Sequence, residues 1–206
     1  GINVDQVDNS ITSDIKISNN LVAGYVNQSR TGNAGILIDY FATGTGMIAK
    51  IWNNIVYGFI DGIYAYDPWK IMAYSNTVHN ISSAGITGYS TEQMLIKNNI
   101  VQNSSTAYDG TFLVASNNIA ENELPPGTDS KQCTVSFRNI SNNDFRLASN
   151  DTCAIDSGID LSSDENLSFS DDIQGETRTA TWDIGADEYI TLGGAQSEIP
   201  FINFTS

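Results

Sequence analysis

The chain reads as an all-β solenoid, a single-stranded parallel β-helix with an irregular C-terminal closing segment. A recurring asparagine pair, a recurring Gly-Ile phrase and period-two alternation between them carry that reading. The pair, or Ser-Asn in its place, occurs as Ile17-Ser18-Asn19-Asn20-Leu21-Val22, Ile51-Trp52-Asn53-Asn54-Ile55-Val56, Ala73-Tyr74-Ser75-Asn76-Thr77-Val78, Ile96-Lys97-Asn98-Asn99-Ile100-Val101 and Ala115-Ser116-Asn117-Asn118-Ile119-Ala120. The Gly-Ile phrase stands at Gly1-Ile2, Gly35-Ile36, Gly62-Ile63 and Gly85-Ile86.

The spacing selects the kind of solenoid. Asn54 to Asn76 is 22 residues, Asn76 to Asn99 is 23 and Asn99 to Asn118 is 19, whereas Asn20 to Asn54 is 34 and contains an insertion. Short runs rich in Ile, Val and Tyr alternate at period two within each unit, a strand pattern with little room for helices. Coils of such strands stack at about 4.8 Å, so Asn20, Asn54, Asn76, Asn99 and Asn118 fall at one turn and form a structural ladder of side-chain amides. Coils occupy residues 1–140, a closing segment 141–190 and a linker or tail 191–206.

These coils resemble the parallel β-helix repeats of the pectin-lyase-like superfamily, right-handed in that family. The superfamily includes polysaccharide lyases, glycoside hydrolases, epimerases, esterases and non-catalytic adhesins, so the resemblance implies a fold and leaves the activity open. The last third resembles a segment attached to secreted bacterial β-helix proteins. Its phrases here are Asp144-Phe145-Arg146-Leu147, Ala154-Ile155-Asp156-Ser157-Gly158, Asp172-Ile173-Gln174-Gly175-Glu176-Thr177-Arg178 and Asp183-Ile184-Gly185-Ala186-Asp187-Glu188-Tyr189. The expected role is closure of the last coil, with Asp156, Asp172, Arg178 and Asp183 as a structural polar network.

Net charge is −15, with 24 acidic and 9 basic residues, which makes nucleic acid and anionic membranes poor partners. No run of 18 apolar residues exists to span a bilayer. The chain opens at Gly1-Ile2 in mid-coil register, as expected of a fragment, and its N-terminal coil is a surface for end-to-end contact. The protein is expected to be extracellular, periplasmic or on the cell surface, where Cys133 and Cys153 are expected to form a disulfide rather than two buried thiols.

The candidate chemistry follows from strand faces. With Ile36, Ile63 and Ile86 inward, Tyr64, Tyr66 and Tyr89 point outward on neighbouring coils, with Trp69 in the next loop. Such a row suits the faces of sugar rings, so a polysaccharide or cell-surface glycan is the expected partner. Trp52 and Tyr74 form a second candidate platform, beside the outward Lys97. In either row the rings could instead be cross-strand pairs that only stabilise the sheet.

Hydrolysis would need two carboxylates about 5 to 9 Å apart, drawn from Asp39, Asp61 and Asp67, and lyase chemistry would need a base such as Lys97. Calcium is the one cofactor these residues suit, held by Asp39, Asp61 or Asp67 against an acidic sugar. Tyr66-Asp67-Pro68-Trp69 resembles the catalytic phrase of mannuronan epimerases but has Trp69 where that phrase has histidine. His79, the single histidine, is expected at a surface turn. The sequence fits two functions: a polysaccharide-associating β-helix, with lyases or hydrolases among its relatives, or a non-catalytic structural or adhesion module.

Overall fold

The computed structural model describes residues 1–7, 14–24, 33–41, 48–66, 70–89, 93–179 and 181–190. In chain order the strands are β1 Ile2–Val7, β2 Ile15–Ser18, β3 Leu21–Ala23, β4 Ala34–Phe41, β5 Ile48–Trp52, β6 Ile55–Tyr57, β7 Asp61–Tyr66, β8 Lys70–Tyr74, β9 Thr77–Tyr89, β10 Gln93–Lys97, β11 Ile100–Gly110, β12 Val114–Ser116, β13 Ile119–Ala120, β14 Lys131–Gln132, β15 Phe137–Asn139 and β16 Asp144–Leu147. Among the described residues, nine strands form a long sheet along the path β1-β4-β7-β9-β11-β13-β14, with β3 and β6 joined beside it. Five more form a second sheet in the order β12-β10-β8-β5-β2. All these pairings are parallel and link each coil to the next, so the fold is a parallel β-helix.

The register follows the repeats. Ile36 pairs with Ile63, Ile63 with Ile86 and Ile86 with Tyr108, an inward column. Ile17, Ile51, Ala73 and Ile96 make a second column and Val22, Val56, Val78 and Val101 a third. Together they fill the tube as one apolar cluster. Stacked identical β-branched side chains suit a strand interior, where each fills the gap between its neighbours. At the corner before the Gly-Ile phrase the coils approach too closely for a Cβ: one placed on Gly62 would strike the Gly85 carbonyl and the Val78 side chain.

The two members of each asparagine pair have opposite tasks. The first adopts the left-handed region, with φ of 56° at Asn19, 52° at Asn53, 49° at Ser75, 54° at Asn98 and 50° at Asn117. Asparagine tolerates that conformation better than other side chains bearing a Cβ, which explains its recurrence at the sharp turn. The turn aims the second residue inward. Asn20 Nδ2 donates to Asn54 Oδ1 at 3.0 Å, Asn54 to Asn76 at 3.0 Å, Asn76 to Asn99 at 3.1 Å and Asn99 to Asn118 at 3.0 Å. Each receiving oxygen also accepts the preceding rung's backbone N–H. The spare amide hydrogens go to strand carbonyls, such as Ile51 O and Tyr74 O from Asn76. Ser130 Oγ ends the ladder by accepting from Asn118 N at 3.1 Å.

The closing segment departs from its expected position. The parallel strands end at Gln132, before the boundary read at 140, and Val135 already belongs to the cluster built on the closing segment. The segment does not sit on the last coil alone; it runs along the flank of the solenoid. Nδ2 of Asn19, Asn53, Asn98 and Asn117 donates to Asp172 O, Asp171 O, Ile159 O and Ser157 O, so the first asparagines of four coils hold it. Two apolar clusters lie beneath: Ile55, Ile100 and Ile119 with Val135, Phe145, Ile173 and Ile184, and Met72, Tyr74 and Leu95 with Leu161, Leu167 and Trp182. A row of outward isoleucines along the tube gives the segment more apolar surface to cover than the end of a coil would.

Cys133 and Cys153 are joined by a disulfide with Cα atoms 6.3 Å apart, tying the exit of the last coil to the segment. Residues 191–206, read as a linker or tail, lie outside the described residues.

Two outcomes test this packing. Asn76→Ala strips Asn54 of its acceptor inside the tube, and denaturant unfolding should show a loss of about 1 to 3 kcal/mol. Removing the bridge as the Cys133→Ala/Cys153→Ala pair should cost about 3 kcal/mol, the loop-closure value for a crosslink of this span, measured the same way.

Candidate functional site

The Gly-Ile strands β4, β7 and β9, with β11 beside them, carry the candidate face because inward Ile36, Ile63, Ile86 and Tyr108 fix the opposite parity to solvent. Tyr66 pairs with Tyr89 in register, and both are exposed, at 43% and 41%. Tyr64 lies one column over, its ring centroid 5.8 Å from that of Tyr89 and tilted by 56°. The Tyr89 hydroxyl donates to Asp109 Oδ2, and this bond raises the phenol's pKa. Burial, followed by the charges of neighbouring acids, raises Tyr64 as well. Thr87 pairs with Tyr64 on one side and Asp109 on the other; it is 1% exposed and its Oγ1 has no hydrogen-bond partner.

The carboxylates of this face are Asp39, opposite Tyr66, and Asp109; Asp61, opposite Ala34, stands at the start of β7, where its Oδ1 accepts from Ala84 N and its charge reaches Tyr64 and Tyr89. Asp39 and Asp61 are therefore five strand positions apart, roughly 16 Å at 3.3 Å per residue. That separation is too wide for Asp39 and Asp61 to act as a hydrolytic pair with each other. Asp67 and Trp69 lie outside the described residues. Among the described residues no group of three or more His, Cys, Asp or Glu is placed to hold a metal.

The second platform is not a surface. Tyr74 is 0% exposed and packs with Leu161, Leu167 and Trp182, while Trp52 meets Phe169 at 6.3 Å. Both point outward as expected, but the closing segment covers Tyr74 fully and leaves Trp52 half-buried against it. Burial pushes the Tyr74 hydroxyl well above its ordinary value. Lys97, the candidate base, is bonded to Asp164 at 2.6 Å and lies over the Tyr74 ring at 5.3 Å, so it is a docking residue for the segment. His79 is likewise buried, packed on Phe145 at 4.8 Å and Phe137 at 5.9 Å beneath the β15–β16 hairpin. Burial lowers its pKa, against the expectation of a surface turn.

The polar groups of the closing segment bond to one another, to its backbone and to the coils. Arg178 stacks over Trp182 at 5.0 Å, pairs with Glu188 at 3.3 Å and donates to Asn53 Oδ1 at 3.1 Å. Asp172 accepts from the backbone N–H of Gln174, Glu176 and Glu188. Asp183 accepts from Asp156 N and Tyr189 N. Asp156 takes part through its backbone only; its side chain is exposed and its φ of 54° marks a turn. Asp187 and Asp151, not singled out from the sequence, are equally engaged, with Leu147 N on Asp187 and three successive N–H groups on Asp151. A depression of about 400 Å³ lined by Arg138, Leu147, Ala148, Ser149 and Tyr189 lies on this segment and holds none of the candidate residues.

Against known proteins, no family model, curated protein or solved structure matches the chain. The fold assignment rests on the strand pairings and the ladder themselves. No helix among the described residues is long and apolar enough to cross a membrane.

Burial pushes the carboxyls of Asp183 and Asp187 up to about 7. Both ionise near 4 when unfolded, so the stability gained by keeping them protonated is complete below about pH 4 and lost as pH rises through about 7. His79 acts in the opposite sense below about 6.5, so the test is a difference in slope. Between pH 5 and 8 the melting temperature of Asp183→Asn and of Asp187→Asn should fall less steeply than that of the parent, whatever their absolute values.

Proposed function

We propose that this chain is a non-catalytic β-helix module that associates with polysaccharide through the tyrosine face of β7 and β9. The observation that carries the reading is the register match of Tyr66 with Tyr89, both exposed while on the other sheet Tyr74 is buried and Trp52 half-buried under the closing segment. Rings one strand spacing apart, about 4.8 Å, offer consecutive platforms to one extended glycan, and such contacts combine ring stacking with hydroxyl hydrogen bonds. The resemblance to pectin-lyase-like coils and to the closing segments of secreted bacterial proteins supports a glycan-facing role, and the disulfide supports an oxidising compartment outside the cytoplasm.

Catalysis by a lyase or hydrolase relative is the weaker reading. Lys97 is held by Asp164 and Asp39 stands far from Asp61, so the described candidates do not assemble around a scissile bond. A purely structural or adhesive module is favoured by one observation, the tie of Tyr89 to Asp109, which also serves to stiffen the sheet.

The Tyr66→Ala/Tyr89→Ala variant separates these readings. Affinity electrophoresis through gels containing neutral polysaccharides should show retardation of the parent and none of the variant, with melting temperatures within about 2 °C, because exposed side chains away from the core change stability little. Equal retardation of both would return the face to a structural role.

A further inference from the structure

We propose that the ligand of the tyrosine face is a cationic glycan, a polysaccharide of amino sugars carrying free ammonium groups. The inference rests on the reading of this face as a glycan surface and adds the charge of the ligand. Its basis is the distribution of charge. The chain has nine lysines and arginines, of which Arg30 lies outside the described residues. None of the other eight is on β4, β7, β9 or β11. Lys50 is bonded to Asp14, Lys70 to Asn166, Lys97 to Asp164, Lys131 to Ser157 and Arg178 to Glu188, and Arg146 pairs with Asp144. Lys16 stands beside Lys50 on the five-stranded sheet and Arg138 reaches Asp144 on the hairpin. Apart from Lys16 and Lys50 on β2 and β5, these cations meet or belong to the closing segment, while Asp39 and Asp109 on the tyrosine face, with Asp61 at its edge, have no described cation opposite them.

A second observation points to a ligand there. Thr87 Oγ1 is shut away from water without a partner, in the column between Tyr64 and Asp109. An unpartnered buried hydroxyl is costly and rare in a finished structure, and a ligand hydroxyl or ammonium entering between the rings would satisfy it. Asp109 is held in place by the Tyr89 hydroxyl and keeps a second oxygen for that ligand. An ammonium is attracted both by the carboxylates and by the faces of the tyrosine rings, whereas a uronate polymer would meet the field of a protein of charge −15.

The test uses oligosaccharides of β-1,4-linked N-acetylglucosamine and their fully deacetylated counterparts of equal length, titrated calorimetrically at pH 5.5, where the amine is protonated. The deacetylated chain should bind at least about tenfold more tightly, and 0.5 M salt should remove most of the difference. Asp39→Asn/Asp61→Asn should bring the two affinities together, while Asp129→Asn/Glu165→Gln, an equal change of charge at exposed residues elsewhere, should not. Thr87→Val should weaken the deacetylated chain severalfold. Equal binding of the two oligosaccharides by the parent would overturn the cationic preference and leave glycan binding in place. Equal losses in the two charge variants would reduce the effect to bulk attraction and overturn it as well. Absence of binding to both, and to neutral polysaccharides, would remove the glycan reading itself.

Discussion

The asparagine pair at one corner of the coil is the constraint on which the rest depends. Its first residue supplies a left-handed turn and an outward amide; its second supplies an inward amide that donates to the next rung and accepts from the previous one. A buried primary amide is tolerable only when both its donors and its acceptor are used, which requires the same residue on every rung. The repeat therefore reflects the hydrogen-bonding capacity of one side chain. Ser75, the one departure, shows the limit: it keeps the left-handed turn, but its hydroxyl is buried without a partner and docks nothing.

From that corner the two faces of the molecule acquire different fates. The outward amides of Asn19, Asn53, Asn98 and Asn117 fix the closing segment along the flank, where it covers Trp52, Tyr74 and the isoleucine row with a second layer of core. Arg178 connects the two systems, since it touches Asn53 of a coil and Glu188 of the segment. The segment takes up positive charge at Lys97 and Lys131, and the Gly-Ile strands opposite are left acidic and aromatic. The face proposed to bind glycan is what this docking does not cover.

The solenoid was legible because its code is local and repeated. Period-two strands and a fixed amide turn specify which residues face inward, and the columns of isoleucine and valine follow. The outward direction of Trp52, Tyr74 and Lys97 was equally legible, but their burial was not, because coverage depends on contacts more than sixty residues away in the chain. The signal for that contact was present in the pair itself: a ladder needs one asparagine per coil, and the second recurring one implied a further partner. Asp187 and Thr87 carried no comparable mark, since one is a single acid in an acidic chain and the other one threonine in a strand. The separation of Asp39 from Asp61 needed the register of β4 against β7, which the Gly-Ile alignment contains once it is read across strands.

Amide hydrogen exchange of the native protein tests most directly whether the ladder and the docked segment form one cooperative unit. The account predicts that the backbone N–H groups of Asn54, Asn76 and Asn99, which donate within the ladder, exchange with the same opening free energy as those of Ile159, Gly185 and Ala186, which bond to the coil corner. Exchange of the segment amides orders of magnitude faster, with the ladder still protected, would contradict it.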